Sequence, residues 1–186
     1  MRAFEALMGK QNMLTVLGMD SQGEGTKIED KGIQSVSVAT KQLMADFERG
    51  LVSPEQFVSE IQQYCKAGTT KQMIIDAWMS MLAELPAERL AFVDNLRAKG
   101  HKTYLLSNGN DLHFDYINAQ YHLDSHFDAL FLSHKLHLAK PEAQIFETVD
   151  KAIHTDGAEV IFIDDIEINR LAAEQYVHWH TFASIY

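Results

Sequence analysis

Cysteine is nearly absent from the 186-residue sequence. Cys65 stands alone, so no disulfide can form within the chain, and a reducing, cytoplasmic setting suits it. Basic residues are also scarce: 16 Lys and Arg face 26 Asp and Glu, a formal net charge of −10. A surface this acidic repels phosphate backbones and anionic lipids, which argues against nucleic acid or a membrane as partner. No stretch approaches the roughly 20 apolar residues that span a bilayer. Met1 to Gly9 is too short and too mixed for a secretory signal. Internal repeats, low-complexity tracts and clear linkers are missing as well. What remains, 46% hydrophobic and 23% charged residues, excludes collagen and a disordered tail. The length suits one domain with a small inserted subdomain.

The first hundred residues carry helical spacing. Met1–Gly9 reads as the end of a helix stopped by Gly9, as if the chain opened inside a larger element. Leu43, Met44 and Phe47 mark an apolar face that Gly50 closes. Ser53-Pro54-Glu55-Gln56 is a start signal: Ser53 can cap, Pro54 suits the first helical position, and Gln56 can reach back. Phe57, Ile61, Tyr64 and Cys65 follow, with Cys65 read as a packed thiol and Gly68 as the stop. Thr69 or Thr70 caps the next helix, whose expected buried stripe is Met73, Ala77, Trp78, Met81 and Leu82. Pro86 opens another, with Leu90, Val93 and Leu96 inward and Gly100 at its end. Residues 21–40 are the least patterned.

Beyond residue 100 the period changes. Thr103–Leu106, Ala129–Leu132 and Val160–Ile163 are short uninterrupted apolar runs, and a last strand is expected near Thr181–Ile185. Helices carrying Leu112, Tyr116 and Ile117 (capped by Asp111), then Ile145, Phe146 and Val149, then Ile168, Leu171 and Ala172, lie between them. Such alternation predicts an α/β fold with a parallel sheet covered on both faces. Ligands then sit beyond the carboxyl ends of the strands, where Ser107-Asn108 and Asp164-Asp165 stand.

Three elements therefore follow in order: Leu105-Leu106-Ser107-Asn108, Lys140-Pro141-Glu142, and Phe162-Ile163-Asp164-Asp165. Each has a plainer reading. Ser107-Asn108-Gly109-Asn110 suits an ordinary turn, and Lys140-Pro141 an ordinary helix start. Asp164-Asp165 is harder to dismiss, because adjacent like charges at the end of a buried strand repel unless a cation or donors compensate. Asn169 could brace them. Nine histidines are present; His134-x-x-His137 and His178-x-His180, with His122 and His126 nearby, have ligand-like spacing, but without a Cys pair or a His-Glu-x-x-His helix zinc is the weaker reading.

On these motifs residues 41–186 resemble the haloacid dehalogenase (HAD) superfamily, in particular its phosphatase-like members with a small helical cap. The resemblance implies a Rossmann-like three-layer sandwich with an inserted cap: residues 1–20 as a remnant of the core, 21–86 as the cap, and 87–186 as the core. It implies Mg²⁺-dependent hydrolysis of a small phosphomonoester, a phosphorylated metabolite, through an aspartyl-phosphate. Ser107 and Asn108 would bind the phosphoryl oxygens, Lys140 would neutralise charge, and Asp164 and Asp165 would hold Mg²⁺. A homodimer is left open.

The family's nucleophile is the first Asp of an Asp-x-Asp motif ending the first strand, and no Asp-x-Asp occurs in the sequence. The expectation is an inactive chain with weak Mg²⁺ affinity, in which Lys140 pairs with one of the two aspartates. The absent strand would be central, so either another segment or a partner fills its place or its two neighbours close up. A strand at Leu14–Leu17 delivering Asp20, with Gln22 in the second position, is the one internal substitute, and the preceding helix and the weak apolar run argue against it. Alternatives are a non-catalytic HAD-like protein binding a phosphometabolite or a partner, and dehalogenase chemistry, which needs no Mg²⁺.

Overall fold

The computed structural model describes residues 2–17, 34–155 and 159–184. Helices α1 (Arg2–Met8), α2 (Lys10–Val16), α3 (Gln34–Glu48), α4 (Pro54–Gln62), α5 (Lys71–Met79) and α6 (Ala87–Ala98) come first. Then follow β1 (Tyr104–Ser107), α7 (Asp111–Tyr121), α8 (Leu123–His126), β2 (Ala129–Leu132), α9 (Ser133–Leu136), α10 (Ala143–Ile153), β3 (Ile161–Asp164), α11 (Glu167–Val177) and β4 (His180–Ala183). The chain is thus α/β, with all its described strand pairs parallel.

Helices α1 to α5 share one apolar cluster built on Phe4, Met8, Val16, Phe47, Phe57, Ile61, Ile74 and Trp78. Phe47 and Phe57 stack with ring centroids 4.0 Å apart, and Trp78 meets Phe57 edge-on at 4.8 Å. These rings carry much of the unit's stability, because a buried aromatic removes the largest apolar area from water. Helix α4 starts as its sequence dictates. Ser53 accepts from the Gln56 N–H, and the Gln56 side chain accepts from the Ser53 N–H.

In this unit a disfavoured alternative closes and one expectation fails. Leu14–Val16 is helical, not a strand: the Met13 N–H donates to Gly9 and the Leu17 N–H to Met13. Met13, Leu14 and Val16 bury as a helical face, so the substitute strand does not form; Asp20 and Gln22 lie outside the described residues. In α5 the stripe is rotated. Ile74, Ala77 and Trp78 are buried, whereas Met73 and Met81 face solvent, because Trp78 claims the aromatic cluster and sets the helix phase.

The strands form two separate two-stranded sheets, β1 with β2 and β3 with β4. The single continuous sheet expected from the sequence is therefore in two pieces among the described residues. Phe162, Phe146, Ile145, Val149, Ala172, Ala173 and Trp179 form a second core, against which Leu106 and Phe131 pack. Burial on β3 alternates: Phe162 and Asp164 are buried, Ile161 and Ile163 exposed. A strand covered on both faces would not alternate. Ile168 and Leu171 on α11 are exposed too; Asn169, Ala172 and Ala173 make its inward face.

Helix ends differ between the halves. Gly9, Gly50, Gly68 and Gly100 take positive φ in the first. In the second, His122, His137, His154 and His178 do so, at the ends of α7, α9, α10 and α11. Histidine tolerates the left-handed region better than most side chains and suits a helix C-terminus when charged. Three of the histidines that suggested zinc, His122, His137 and His178, are thus helix stops.

Candidate active site at the carboxyl ends of the strands

Strand β1 delivers Ser107 and β3 delivers Asp164 to their carboxyl ends, each followed by a helix start. At the end of β1, Asn110 rather than Asp111 caps α7, its side chain accepting from the His113 N–H. Ser107 is half-buried, and its hydroxyl lies 3.4 Å from the Asn108 carbonyl. Asn108 turns toward the second motif. Its amide NH₂ donates to the Lys140 carbonyl and its amide oxygen accepts from the Lys140 N–H, both at 2.9 Å. The Ser107-Asn108 turn thereby fixes the backbone of the lysine.

The Lys140 side chain then crosses from one sheet to the other. Its ammonium donates to the Leu106 carbonyl of β1 at 3.0 Å and to Asp164 Oδ2 of β3 at 2.6 Å. It also lies 5.5 Å from the centre of the Phe162 ring. The two side chains are 9% and 5% exposed, so this is a buried ion pair, and it is the lysine–aspartate pairing expected from the sequence. Asp164 has further partners. Oδ1 accepts from the Ile166 N–H at 2.8 Å and from the Asn169 amide at 3.1 Å, and the same amide approaches Oδ2 at 3.3 Å. The Arg170 guanidinium donates to the Asp164 carbonyl at 2.7 Å. Asp165 is exposed beside it. The three motifs are therefore brought together, and Asn169 acts as the brace its position suggested.

Contacts that the sequence reading did not foresee join this region to the helical unit. The carbonyls ending α3 need donors from outside their own helix. Ser133 donates its hydroxyl to the Glu48 carbonyl at 2.6 Å, and His137 Nδ1 bonds the Arg49 carbonyl at 2.7 Å. Arg49 pairs with Glu142, just beyond Lys140-Pro141. Gly50 closes α3 with bonds from Gly50 N–H to Phe47 and from Leu51 N–H to Asp46. A side chain at Gly50 would have its Cβ 2.2 Å from the His134 carbonyl oxygen. A periodic apolar pattern could not show these contacts, which depend on a hydroxyl, an imidazole and a missing Cβ.

His134 is buried at this junction with neither ring nitrogen hydrogen-bonded. Burial lowers its pKa, with Asp111 pulling the other way from 3.7 Å. His113, bonded to the Trp78 carbonyl at 3.1 Å, is also held below its ordinary value by burial.

A divalent cation makes definite demands on the donor set. Mg²⁺ requires about six oxygens in near-octahedral order. Asp164 already spends both oxygens on N–H donors, and Lys140 places its own positive charge there. Among the described residues no group of three or more His, Cys, Asp or Glu side chains could hold a metal ion. The described residues do not make a complete Mg²⁺ site.

Residues 19–175 match the model of a hydrolase family described as haloacid dehalogenase-like hydrolase. The D-ribitol-5-phosphate phosphatase of Bacteroides thetaiotaomicron is 27% identical over 129 residues, which cover 66% of this chain and 62% of that protein. This chain thus spans less than two thirds of that relative. A HAD family enzyme from the same organism, solved in complex with magnesium and inorganic phosphate, superposes with a TM-score of 0.70 at 31% identity, covering 76% of this chain and 73% of the other. A HAD-like family hydrolase of Porphyromonas gingivalis gives a TM-score of 0.73 at 27% identity, covering 98% of this chain and 80% of its own.

Proposed function

Given that the chain belongs to the haloacid dehalogenase-like hydrolases, we propose that its strand ends form the phosphoryl-recognition half of a phosphatase site for a small phosphomonoester. The single observation that carries this reading is the buried Lys140 ammonium at the carboxyl ends of β1 and β3, 2.6 Å from Asp164, with its backbone fixed by Asn108. A fixed cation beside a serine hydroxyl and turn N–H groups is what a phosphoryl dianion needs. The likeness to a phosphatase and to an enzyme solved with magnesium and phosphate supports it.

The nucleophile half is not among these residues, because no Asp-x-Asp occurs in the sequence and Leu14–Val16 is helical. On this reading Ser107, Asn108 and Lys140 hold phosphate. Asp164 and Asp165 attract Mg²⁺ only weakly, and the 186 residues alone do not hydrolyse a phosphate ester. The helices Gln34–Glu48, Pro54–Gln62 and Lys71–Met79 correspond to the cap of the family. Titration with inorganic phosphate, followed by amide chemical shifts, tests the proposal. Shifts confined to Ser107–Gly109 and the start of α10, and lost in Lys140→Met, are expected. Unmoved amides there, or the same shifts in Lys140→Met, overturn it.

A further inference from the structure

The loop that ends β1 is fastened to the helical unit at two points. The Gly109 N–H donates to Ser133 Oγ at 3.0 Å, and the Ser133 hydroxyl donates to the Glu48 carbonyl at the end of α3. The second fastening joins Asn110 and His113 to Trp78 of α5, and its partners leave one assignment of hydrogens. The Trp78 carbonyl can only accept, so His113 Nε2, 3.1 Å away, carries the hydrogen. Asn110 Oδ1 accepts from the His113 N–H at 3.0 Å and from the Trp78 indole N–H at 3.4 Å. That turns the Asn110 NH₂ toward His113 Nδ1, also 3.4 Å away, and makes Nδ1 the bare acceptor of a neutral ring. The imidazole lies over the indole, with ring centroids 5.1 Å apart and planes inclined by 18°. A proton on Nδ1 would confront the hydrogens of that NH₂. Asn110 could turn its oxygen to meet it only by dropping both donors on Oδ1. The added charge would also stand in the first turn of α7, where the helix dipole opposes a cation.

We propose that neutral His113 is a positioning residue, a proton-sensitive latch that holds the Ser107–Asn110 loop in register with α5 and releases it when the ring is protonated. Asn108 of that loop fixes the Lys140 backbone, so the latch sets the place of the lysine as well. The ionisable groups around it are otherwise engaged. On α7, Asp111 pairs with Lys135, and Asp111 and Asp115 act on His134 of α9, whose ring meets α7 through Phe114. On α5, Asp76 accepts from Gln72 and Lys71 pairs with Glu55. Burial holds the His113 pKa below its ordinary value, against a smaller opposing pull from the Trp78 carbonyl. The latch is therefore whole above about pH 6.5 and is lost as pH falls through the lower value of the folded ring. The latch stands on this geometry alone; its effect on phosphate binding rests on the phosphoryl reading of Ser107, Asn108 and Lys140.

The test uses the full chain, isotopically labelled for NMR, beside its His113→Gln and His113→Leu variants. Glutamine keeps a donor for Trp78 and an acceptor for Asn110 but does not titrate, whereas leucine keeps neither. Ring nitrogen shifts should show Nε2 protonated and Nδ1 bare at about pH 7.5. Between there and about pH 5, the Gly109 and Asn110 amides and the Trp78 indole N–H should move with the midpoint of the His113 ring. In His113→Gln the same signals should hold their starting positions. The Kd for inorganic phosphate in the parent, divided by that in His113→Gln, should rise from about 1 to about 5 over this range, the low end of coupling between linked sites. The titration of phosphate itself cancels in that ratio. His113→Leu should bind phosphate less tightly than the parent at the upper pH. A ring protonated on Nδ1 at the upper pH, a ring neutral throughout, or loop amides that stay put while the ring titrates overturns the latch. So does a ratio of phosphate Kd values that does not change with pH. Phosphate that binds neither protein overturns the phosphoryl reading instead, and the amide titration then decides the latch.

Discussion

Lys140→Met removes one partner of the Lys140–Asp164 pair and leaves a carboxylate 5% exposed with its charge uncompensated. Breaking a buried pair in this way costs about 3–5 kcal/mol. The low end applies, because Asp164 keeps the Ile166 N–H and the Asn169 amide; the Leu106 carbonyl losing its donor adds to the cost. A loss of about 3 kcal/mol is therefore expected. Asp164→Asn strands the ammonium instead and costs about 2 kcal/mol, since Lys140 retains Leu106 and the Phe162 ring. The double variant removes both charges, and its loss should be smaller than the sum of the two by about 2 kcal/mol. Urea unfolding at pH 7, read through Trp179 in the core beside Phe162, measures all four proteins. A Lys140→Met loss below about 0.5 kcal/mol, or single losses that add within about 0.5 kcal/mol, would refute the buried coupling.

Gly50→Ala should cost about 3 kcal/mol or more in thermal melts, combining a left-handed φ of 65° with a Cβ placed 2.2 Å from the His134 carbonyl oxygen. The opposite sign is expected at two exposed helix stops. His154→Gly and His178→Gly relieve positive φ without removing packing and should each gain about 0.5–1 kcal/mol by the same melts. Burial holds His134 and His113 below the ordinary imidazole value, so the unfolded chain binds more protons near and below pH 6.5. The stability they contribute is complete above about pH 6.5 and is lost as pH falls through their folded values. His134→Leu, which strands no hydrogen-bond partner of the imidazole, should make urea midpoints between pH 7 and 5 fall less than in the parent; an identical fall contradicts the assignment.

Much of the site was readable because its signals are local. An apolar run followed at once by Ser107-Asn108 or Asp164-Asp165 marks both a strand and its carboxyl end. The Ser53–Gln56 capping box and the buried Ile145, Phe146 and Val149 face of α10 were equally plain. What failed depends on tertiary partners. Ile168 and Leu171 looked like a core stripe, but Asn169 must face inward to reach Asp164, and that choice turns the two apolar residues outward. Leu14–Val16 joins as a helical face the cluster that holds Phe47 and Trp78, a competition that no short window of sequence contains. The histidine stops were hidden by the habit of reading helix ends from glycine and histidine from metals, although His shares with Asn and Asp an enrichment at positive φ. Lys140 was legible as a charge and not as a bridge, because its reach to Leu106 exists only once two sheets stand apart.

The central claim is that these residues recognise a phosphoryl group but do not transfer it. Assaying the purified 186-residue chain with an aryl phosphate and millimolar Mg²⁺ tests that most directly. No release of the phenol above the uncatalysed rate is predicted, in the parent and in Lys140→Met alike. Turnover of about 1 s⁻¹, ordinary for an enzyme, abolished by Lys140→Met, would contradict the account and show that a nucleophile is present within the chain.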